Sequence, residues 1–127
     1  MPHRIIPGST SLAGVRTVVA RSDRTFARHS HDEYGFGIVT YGSQRSWSSQ
    51  GSVDATAGDV ITVCPGEVHD GAAVGDAPRS WSMLYIEPSV VECSLDGERP
   101  TDGEWEFRAP VIKRPELYRR IRSLHEA

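Results

Sequence analysis

Turn-forming residues recur along this chain at intervals too short for long helices, and this feature constrains the fold most. The runs between the turns are rich in valine, threonine and aromatic residues, which suit a pleated, half-buried surface. Seven or more strands with no helix among them predict a mostly β sandwich or barrel. The predicted strands are Val15–Ala20, Thr25–His31, Tyr34–Tyr41, Arg45–Ser49, Val60–Cys64, Ser80–Ile86 and Trp105–Arg108.

The last segment has a different pattern. Pro115 is placed where a first helical turn tolerates proline, and Glu116 follows at the end that the helix dipole favours. Leu117, Ile121 and Leu124 then recur at the spacing of one helical face. The pattern predicts one amphipathic helix, whose apolar face packs either on the barrel or on a partner subunit.

Composition limits the classes of function. A chain of 127 residues fits one domain. Because 14 basic residues stand against 17 acidic ones, no excess positive charge is available for a phosphate backbone. The longest apolar run, Val60–Val63, is far shorter than the roughly 18 residues of a membrane span. Cys64 and Cys93 are too few for a disulfide framework, so we expect a reduced, cytoplasmic setting.

Three histidines are candidate site residues. His29 and His31 are two residues apart in a predicted strand, so their imidazoles project from the same face. His69 follows the turn at Pro65 and Gly66. In a small barrel these rings converge inside, and neutral imidazoles bind divalent transition metals such as Zn, Ni, Fe or Mn. The alternative is that they are hydrogen-bonding surface or core residues.

The spacing of these histidines resembles the two signature motifs of the cupin superfamily. The first motif reads His29-Ser30-His31 and closes on Gly42, and the second opens on Gly58 and reaches His69. The resemblance implies a cupin-type barrel, the double-stranded β-helix, with the histidines in its interior.

Two positions depart from the cupin pattern. Gly35 occupies the place of the metal-binding glutamate, and Cys64 replaces a proline. A metal would therefore have at most three neutral ligands, unless Glu33 supplied the missing carboxylate. These departures favour a binding pocket over a metal-dependent active site.

A wider resemblance links the chain to the N-terminal effector-binding domain of AraC-type transcription regulators. The similar segments are residues 26–34, 64–70, 81–86 and 115–118, and the resemblance extends over residues 12–126. It implies a barrel that binds a small effector, helices that dimerise, and a separate C-terminal helix-turn-helix domain that binds DNA.

The resemblance also implies a division of the chain. We expect an N-terminal arm at residues 1–11, the effector-binding barrel at 12–112, and the start of the dimerisation helices at 113–127. Leu117, Ile121 and Leu124 are the predicted dimerisation residues, and the protein is expected to be a homodimer. The DNA-binding domain is expected to be absent from this chain.

The predicted pocket combines polar anchors with aromatic walls. Trp81, Met83 and Tyr85 share one face of their strand, although the sequence does not say which face points inward. Gly35 and Gly37 either leave volume in the barrel or kink their strand. Each aromatic residue also fits a role in the barrel core. The predicted ligand-binding residues are His29, His31, Trp47, His69, Trp81, Met83 and Tyr85. The candidate metal ligands are His29, His31 and His69.

These observations predict a small-molecule sensor that requires no cofactor and contacts neither DNA directly nor a membrane. The chain has no Gly-x-Ser-x-Gly elbow and no Gly-x-x-x-x-Gly-Lys loop, so we assign no catalytic residue and expect no enzymatic activity. The alternative is a small metal-dependent cupin enzyme, of dioxygenase or isomerase type, that uses the three histidines. Sugars, aromatic acids and amino-acid-like compounds all remain open as effectors.

Overall fold

Ten strands and two helices make up the part of the chain that the computed structural model describes, residues 3–48, 51–74, 77–94, 107 and 109–126. The strands are β1 (Arg4–Ser9), β2 (Val15–Ser22), β3 (Phe26–His29), β4 (Tyr34–Tyr41), β5 (Ser43–Ser48), β6 (Gly51–Thr56), β7 (Val60–Val63), β8 (His69–Ala73), β9 (Arg79–Ile86) and β10 (Val111–Ile112). The helices are α1 (Pro88–Ser94) and α2 (Pro115–Glu126). Neither of these described helices has the length and apolar character that crossing a bilayer requires.

The described strands form two antiparallel sheets. The larger sheet has the order β1-β2-β9-β4-β7-β10, and the smaller has the order β3-β8-β5-β6. Residues from both sheets line one cavity, so the sheets face each other across it. The predicted mostly β architecture is confirmed, with two facing sheets rather than one closed ladder among the described residues.

Six of the seven predicted strands correspond to observed ones, namely β2, β3, β4, β5, β7 and β9. Both ends of β4 match the prediction, and the ends of the other five strands differ from it by at most two residues. The predicted strand Trp105–Arg108 lies outside the described residues, apart from Phe107, which is in no strand.

Two strands of the smaller sheet have little local signal. β6 contains glycine, serine and aspartate, and β8 reads His-Asp-Gly-Ala-Ala, so both are poor in strand-forming residues. Pairing with β5 on either side holds them in the sheet. Cross-strand packing therefore overrides local propensity here.

The expectation that no helix interrupts the strands is wrong, because α1 lies between β9 and β10. Pro88 and Ser89, two residue types that are common in turns, begin this helix. Proline is favoured in a first helical turn because its missing N–H has no partner there in any case. The Glu87 carbonyl accepts hydrogen bonds from the amides of Val90 and Val91, which closes that turn.

The N-terminal segment is an ordered edge strand. β1 pairs with β2 along its whole length, from Arg4 opposite Arg21 to Ser9 opposite Arg16. Pro7 is tolerated because an edge strand leaves one side of its backbone unpaired. Ile5 reaches the cavity between the sheets. The domain boundaries after residues 11 and 112 stay predictions.

The C-terminal helix packs on the outer face of the larger sheet. Ile121 is buried in a cluster with Ile38 of β4 and Val60 of β7, and Leu117 packs against the same cluster. Leu124 is 58% exposed. Of the three predicted dimerisation residues, Leu124 is therefore the one that does not pack on the sheet and stays exposed to solvent.

Candidate functional site

Three histidines from two segments converge at one end of the cavity. His29 ends β3 and pairs with His69, which begins β8, while His31 follows in the loop after β3. The ring centroids are 4.4 Å apart for His29 and His69, 4.9 Å for His29 and His31, and 5.3 Å for His31 and His69. His29 is exposed and the other two are partly buried, so the cluster lies where the cavity meets solvent.

Backbone contacts fix the proton positions on two of these rings. His29 Nδ1 lies 2.7 Å from the carbonyl oxygen of Ala27, and His69 Nδ1 lies 3.1 Å from that of Glu67. A carbonyl only accepts hydrogen bonds, so each Nδ1 carries the proton. In the neutral rings Nε2 then has a free lone pair, ready to accept a hydrogen bond or to bind a metal.

The surroundings favour neutral imidazoles. Burial lowers the pKa of His31, and the neighbouring His29 and His69 lower it further. Burial also lowers the pKa of His69, although its hydrogen bond to the Glu67 backbone opposes the shift. A neutral imidazole is the form that binds metals and accepts hydrogen bonds.

The cluster fits a three-nitrogen metal site. One ligand nitrogen from each histidine lies within 4.8 Å of the others. Tetrahedral zinc ligands at the usual bond length are about 3.3 Å apart, so a small closure of the rings would complete the set. Among the described residues, only these three histidines form such a group.

Glu33 does not join the histidines. Both its carboxylate oxygens accept hydrogen bonds from Arg16, at distances between 2.8 and 3.2 Å. The guanidinium of Arg16 also lies over the Tyr85 ring, 4.4 Å from its centroid. Arg16 thus holds Glu33 in an ion pair beside the site, and Gly35 leaves no carboxylate at the remaining ligand position.

The two glycines of β4 do not enlarge the cavity. A Cβ on Gly35 would lie 2.9 Å from the Tyr85 ring, and one on Gly37 would lie 2.5 Å from Met83 Sδ. The side chains of β9 therefore already fill the space that the glycines vacate. Close approach of two strands, rather than pocket volume, is the role these glycines serve.

The cavity between the sheets has a volume of about 230 Å³. Apolar and aromatic side chains form most of its wall, and a few polar groups interrupt it, as is typical of small-molecule sites. The residues that line it include Phe26, Gln44, Ser46 and Trp81, together with the histidines.

The structure brings six of the seven predicted ligand-binding residues to this cavity. They are His29, His31, His69, Trp81, Met83 and Tyr85. The sequence did not show which face of β9 points inward, and the structure shows that it is the face with Trp81, Met83 and Tyr85. Burial raises the pKa of the Tyr85 hydroxyl, which therefore stays protonated.

Trp47 has a different position. In β5, Gln44 and Ser46 line the cavity, so strand alternation places Trp47 on the opposite face. Its ring lies beneath the Arg28 guanidinium, 3.9 Å away, and its amide donates to Asp70 Oδ1. Trp47 therefore packs outside the cavity wall.

Sequence reasoning missed several residues at the inner end of the cavity. Trp47 was predicted to bind the ligand because it is aromatic. Gln44 and Ser46, which lie on the other face of β5, are the residues of this strand that line the cavity. Arg79, the first residue of β9, is 0% exposed and contacts the cavity wall from behind. An arginine directly after a proline turn carries no local signal of burial, so only the fold reveals it.

Comparisons with solved structures identify the fold. The Cnp3 cupin domain of Schizosaccharomyces pombe has a TM-score of 0.63 at 7% identity, over 78% of this chain and 74% of that one. A cupin superfamily protein of Desulfitobacterium hafniense has a TM-score of 0.59 at 9% identity, over 68% and 81%. An oxalate decarboxylase of B. subtilis has a TM-score of 0.56 at 13% identity, over 79% and 40%. These similarities confirm the predicted cupin-type fold.

The sequence matches no curated protein sequence. The model of one family, described as the AraC-like ligand binding domain, matches residues 12–127. That match spans the strands from β2 to β10 and both helices, and it includes all three histidines and the inward face of β9. The chain therefore belongs to the family of AraC-like ligand binding domains.

Proposed function

We propose that this chain is the effector-sensing domain of an AraC-type transcription regulator and has no enzymatic activity of its own. The observation that carries the proposal is the cavity of about 230 Å³ with a mostly apolar wall and a few polar groups, inside a domain of this family. The volume suits a small metabolite, and the mixed lining resembles that of small-molecule sites.

Effector binding would act by shifting a conformational equilibrium. Ile5 of β1 lines the cavity, so a ligand contacts the N-terminal strand directly. Val111 of β10 also lines it, and the neighbouring Ile112 packs with the cluster beneath α2. A ligand that prefers one arrangement of β1 and β10 therefore biases the position of α2.

The remaining parts of the proposal follow from the family. The domain would work in the cytoplasm as a homodimer and contact DNA only through a helix-turn-helix domain in a longer regulator. Leu124, exposed on α2, is the residue we propose for contact with the partner subunit.

A thermal-shift screen against a broad metabolite library tests the sensing function. A ligand selective for the folded state raises the unfolding free energy by RT ln(1 + [L]/Kd), or about 2.7 kcal/mol when it is present a hundredfold above Kd. We expect at least one compound to stabilise the wild-type chain but not a Ser46→Leu variant, in which the added side chain occupies the cavity. A screen with no stabilising compound contradicts the proposal.

The alternative function is a metal-dependent cupin enzyme, favoured by the three converging imidazoles. His29, His31 and His69 would hold the metal, which would supply a Lewis acid with open coordination positions. The oxalate decarboxylase among the structural neighbours shows only that the fold is shared.

Elemental analysis separates the two functions. A transition metal at one equivalent in purified wild-type protein, lost in both the His29→Ala and His69→Ala variants, favours the enzyme. For a sensor without a required metal, we expect that protein stripped with a chelator keeps its affinity for the stabilising compound. Arg45→Ala, on the outer face of β5, is a control that changes neither result.

A further inference from the structure

A buried cation with no ion pair to any described residue lies behind the inner end of the cavity. Arg79 is 0% exposed, and none of the ion pairs among the described residues includes it. Asp23 acts on it only at longer range. A guanidinium keeps its charge in proteins, and a buried charge is costly unless it is paired and hydrogen-bonded.

Hydrogen bonds satisfy only part of this guanidinium. Nη1 donates to the carbonyl oxygens of Ser22 and Arg24, at 2.9 and 2.6 Å. Nε donates to Gln44 Oε1 at 3.2 Å. Nη2 is buried and has no hydrogen-bond partner among the residues that the structure describes. Two strong donors are therefore unsatisfied inside the protein, which is rare and costly.

Three neighbours of Arg79 belong to the cavity wall. Its guanidinium carbon lies 4.9 Å from the centroid of the Trp81 ring and 5.4 Å from that of the Phe26 ring. Gln44, which it contacts directly, also lines the cavity. The unbalanced charge therefore lies directly behind the inner end of the cavity, where water is scarce and its field is weakly screened.

The two ends of the cavity differ in chemistry. Along β3, His29 and Phe26 are three residues apart, which is at most about 10 Å because the strand is irregular between them. The histidine end offers imidazoles at the solvent side, and the Phe26 end offers a buried positive charge between aromatic rings. A ligand that spans the cavity meets these ends in a fixed order.

We infer that the effector is a small carboxylate with an apolar or aromatic body, bound with its anionic group at the Phe26, Gln44 and Trp81 end of the cavity, where Arg79 balances its charge. The inference rests on the proposed sensing function and names its ligand class. The aromatic walls contact the body of the ligand. The imidazoles at the other end of the cavity are available to the end of the ligand opposite its carboxylate.

Matched pairs of ligands test this inference on the intact chain. The carboxylates are benzoate, phenylacetate, cinnamate and hexanoate, each compared with its neutral primary amide by isothermal titration calorimetry. We expect at least one carboxylate to bind tenfold or more tightly than its amide, the factor that corresponds to one hydrogen bond to a charged group. The inference is overturned if no carboxylate binds, or if the amides bind equally well.

Gln44→Glu is the decisive variant. It places an internal carboxylate beside Arg79, so the fold keeps its contacts while the ligand's anion is repelled. We expect the preference for carboxylate over amide to fall by about tenfold or more in this variant. Gln44→Met, which adds no charge, should lose less of the preference than Gln44→Glu. Ser52→Glu, which adds a carboxylate on the exposed outer face of β6, is the charge-matched control and should keep the wild-type preference. A purely structural role for Arg79 predicts the same preference in both Gln44 variants, and that result overturns the inference.

Urea denaturation shows whether each variant is folded. We expect the midpoint of Gln44→Glu to be no lower than that of Gln44→Met, because the new carboxylate pairs with a buried cation. A clearly lower midpoint in Gln44→Glu means that Arg79 is already balanced, which overturns the inference. The broad screen keeps the two proposals distinct, since a neutral ligand excluded by Ser46→Leu supports sensing and refutes an anionic effector.

Discussion

His29 and His69 face each other across the β3–β8 ladder with their ring centroids 4.4 Å apart, and each donates Nδ1–H to a backbone carbonyl two residues earlier. The ladder sets the distance between the rings, and the carbonyls set which nitrogen points away from the backbone. Two segments distant in sequence thereby present two equivalent Nε2 lone pairs at the mouth of one cavity.

Acidification should destabilise the metal-free chain. The folded state lowers the pKa of His31 and His69, whereas the unfolded chain takes up protons near the ordinary value of 6.5. The unfolded state therefore binds more protons as the pH falls through that value, and stability falls with it. Thermal unfolding in the presence of a chelator, from about pH 8 to about pH 5, measures the effect.

A His69→Gln variant is the control for this pH dependence. His31 faces His29, His69 and Arg16 as repelling groups and Glu33 as an attracting one. Removing His69 eliminates its own titration and one repelling neighbour, so the stability profile should become flatter. A profile as steep as that of the wild-type chain contradicts this assignment.

Trp81 should matter for effector binding and Trp47 should not. Trp81 lines the cavity and makes an edge contact with Phe26 at 5.8 Å, whereas Trp47 packs under Arg28 on the outer face. We expect Trp81→Leu to weaken binding of the stabilising compound by about tenfold, as truncation of a buried aromatic anchor does. Calorimetric titration of both variants checks this, and an equal loss in Trp47→Leu contradicts the placement.

Gly37→Ala should destabilise the chain by about 1–3 kcal/mol. The added Cβ would approach Met83 Sδ within 2.5 Å and also meet the β9 backbone, which does not yield. In Gly8→Ala the new Cβ meets the end of the Thr17 side chain, which can rotate away. Urea denaturation should therefore show a clear loss for Gly37→Ala and little change for Gly8→Ala, and similar losses contradict the argument.

Substitutions of Ile121 and Leu124 should have different effects, the first on the stability of the fold and the second on dimer formation. Ile121 is 5% exposed in the cluster beneath α2, so Ile121→Ala should cost about 2–4 kcal/mol in unfolding free energy. Leu124 is exposed, so Leu124→Ala should leave the unfolding free energy of the monomer unchanged and weaken dimer formation. Denaturation together with sedimentation velocity checks both. A dimer unaffected by Leu124→Ala contradicts its assignment to the partner contact.

The elements that the sequence predicts well have a strong pattern of their own. β4 and β9 are rich in aromatic and branched residues, and α2 has an apolar residue at every expected turn. β8 could not be predicted, because His69–Ala73 carries almost no strand propensity and becomes a strand by pairing with β3 and β5. Long-range pairing leaves no mark on local composition.

The candidate site also has residues that the sequence predicts and residues that it does not. The convergence of His29, His31 and His69 could be predicted, because both strand alternation and the motif spacing can be read directly from the sequence. Arg79 and Gln44 come from different strands, and nothing within either strand indicates that they meet. Their contact depends on the packing of β5 and β9 in two facing sheets, which a single sequence does not specify.

Calorimetric titration of a stabilising compound into two matched variants tests the central claim most directly. Ser46 lines the cavity from β5, whereas Ser52, on the neighbouring strand β6, is exposed on the outer face opposite Trp47. The account predicts that Ser46→Leu abolishes binding while Ser52→Leu binds as the wild-type chain does, with both variants folded. Undiminished binding to Ser46→Leu would contradict the assignment of this cavity as the effector site.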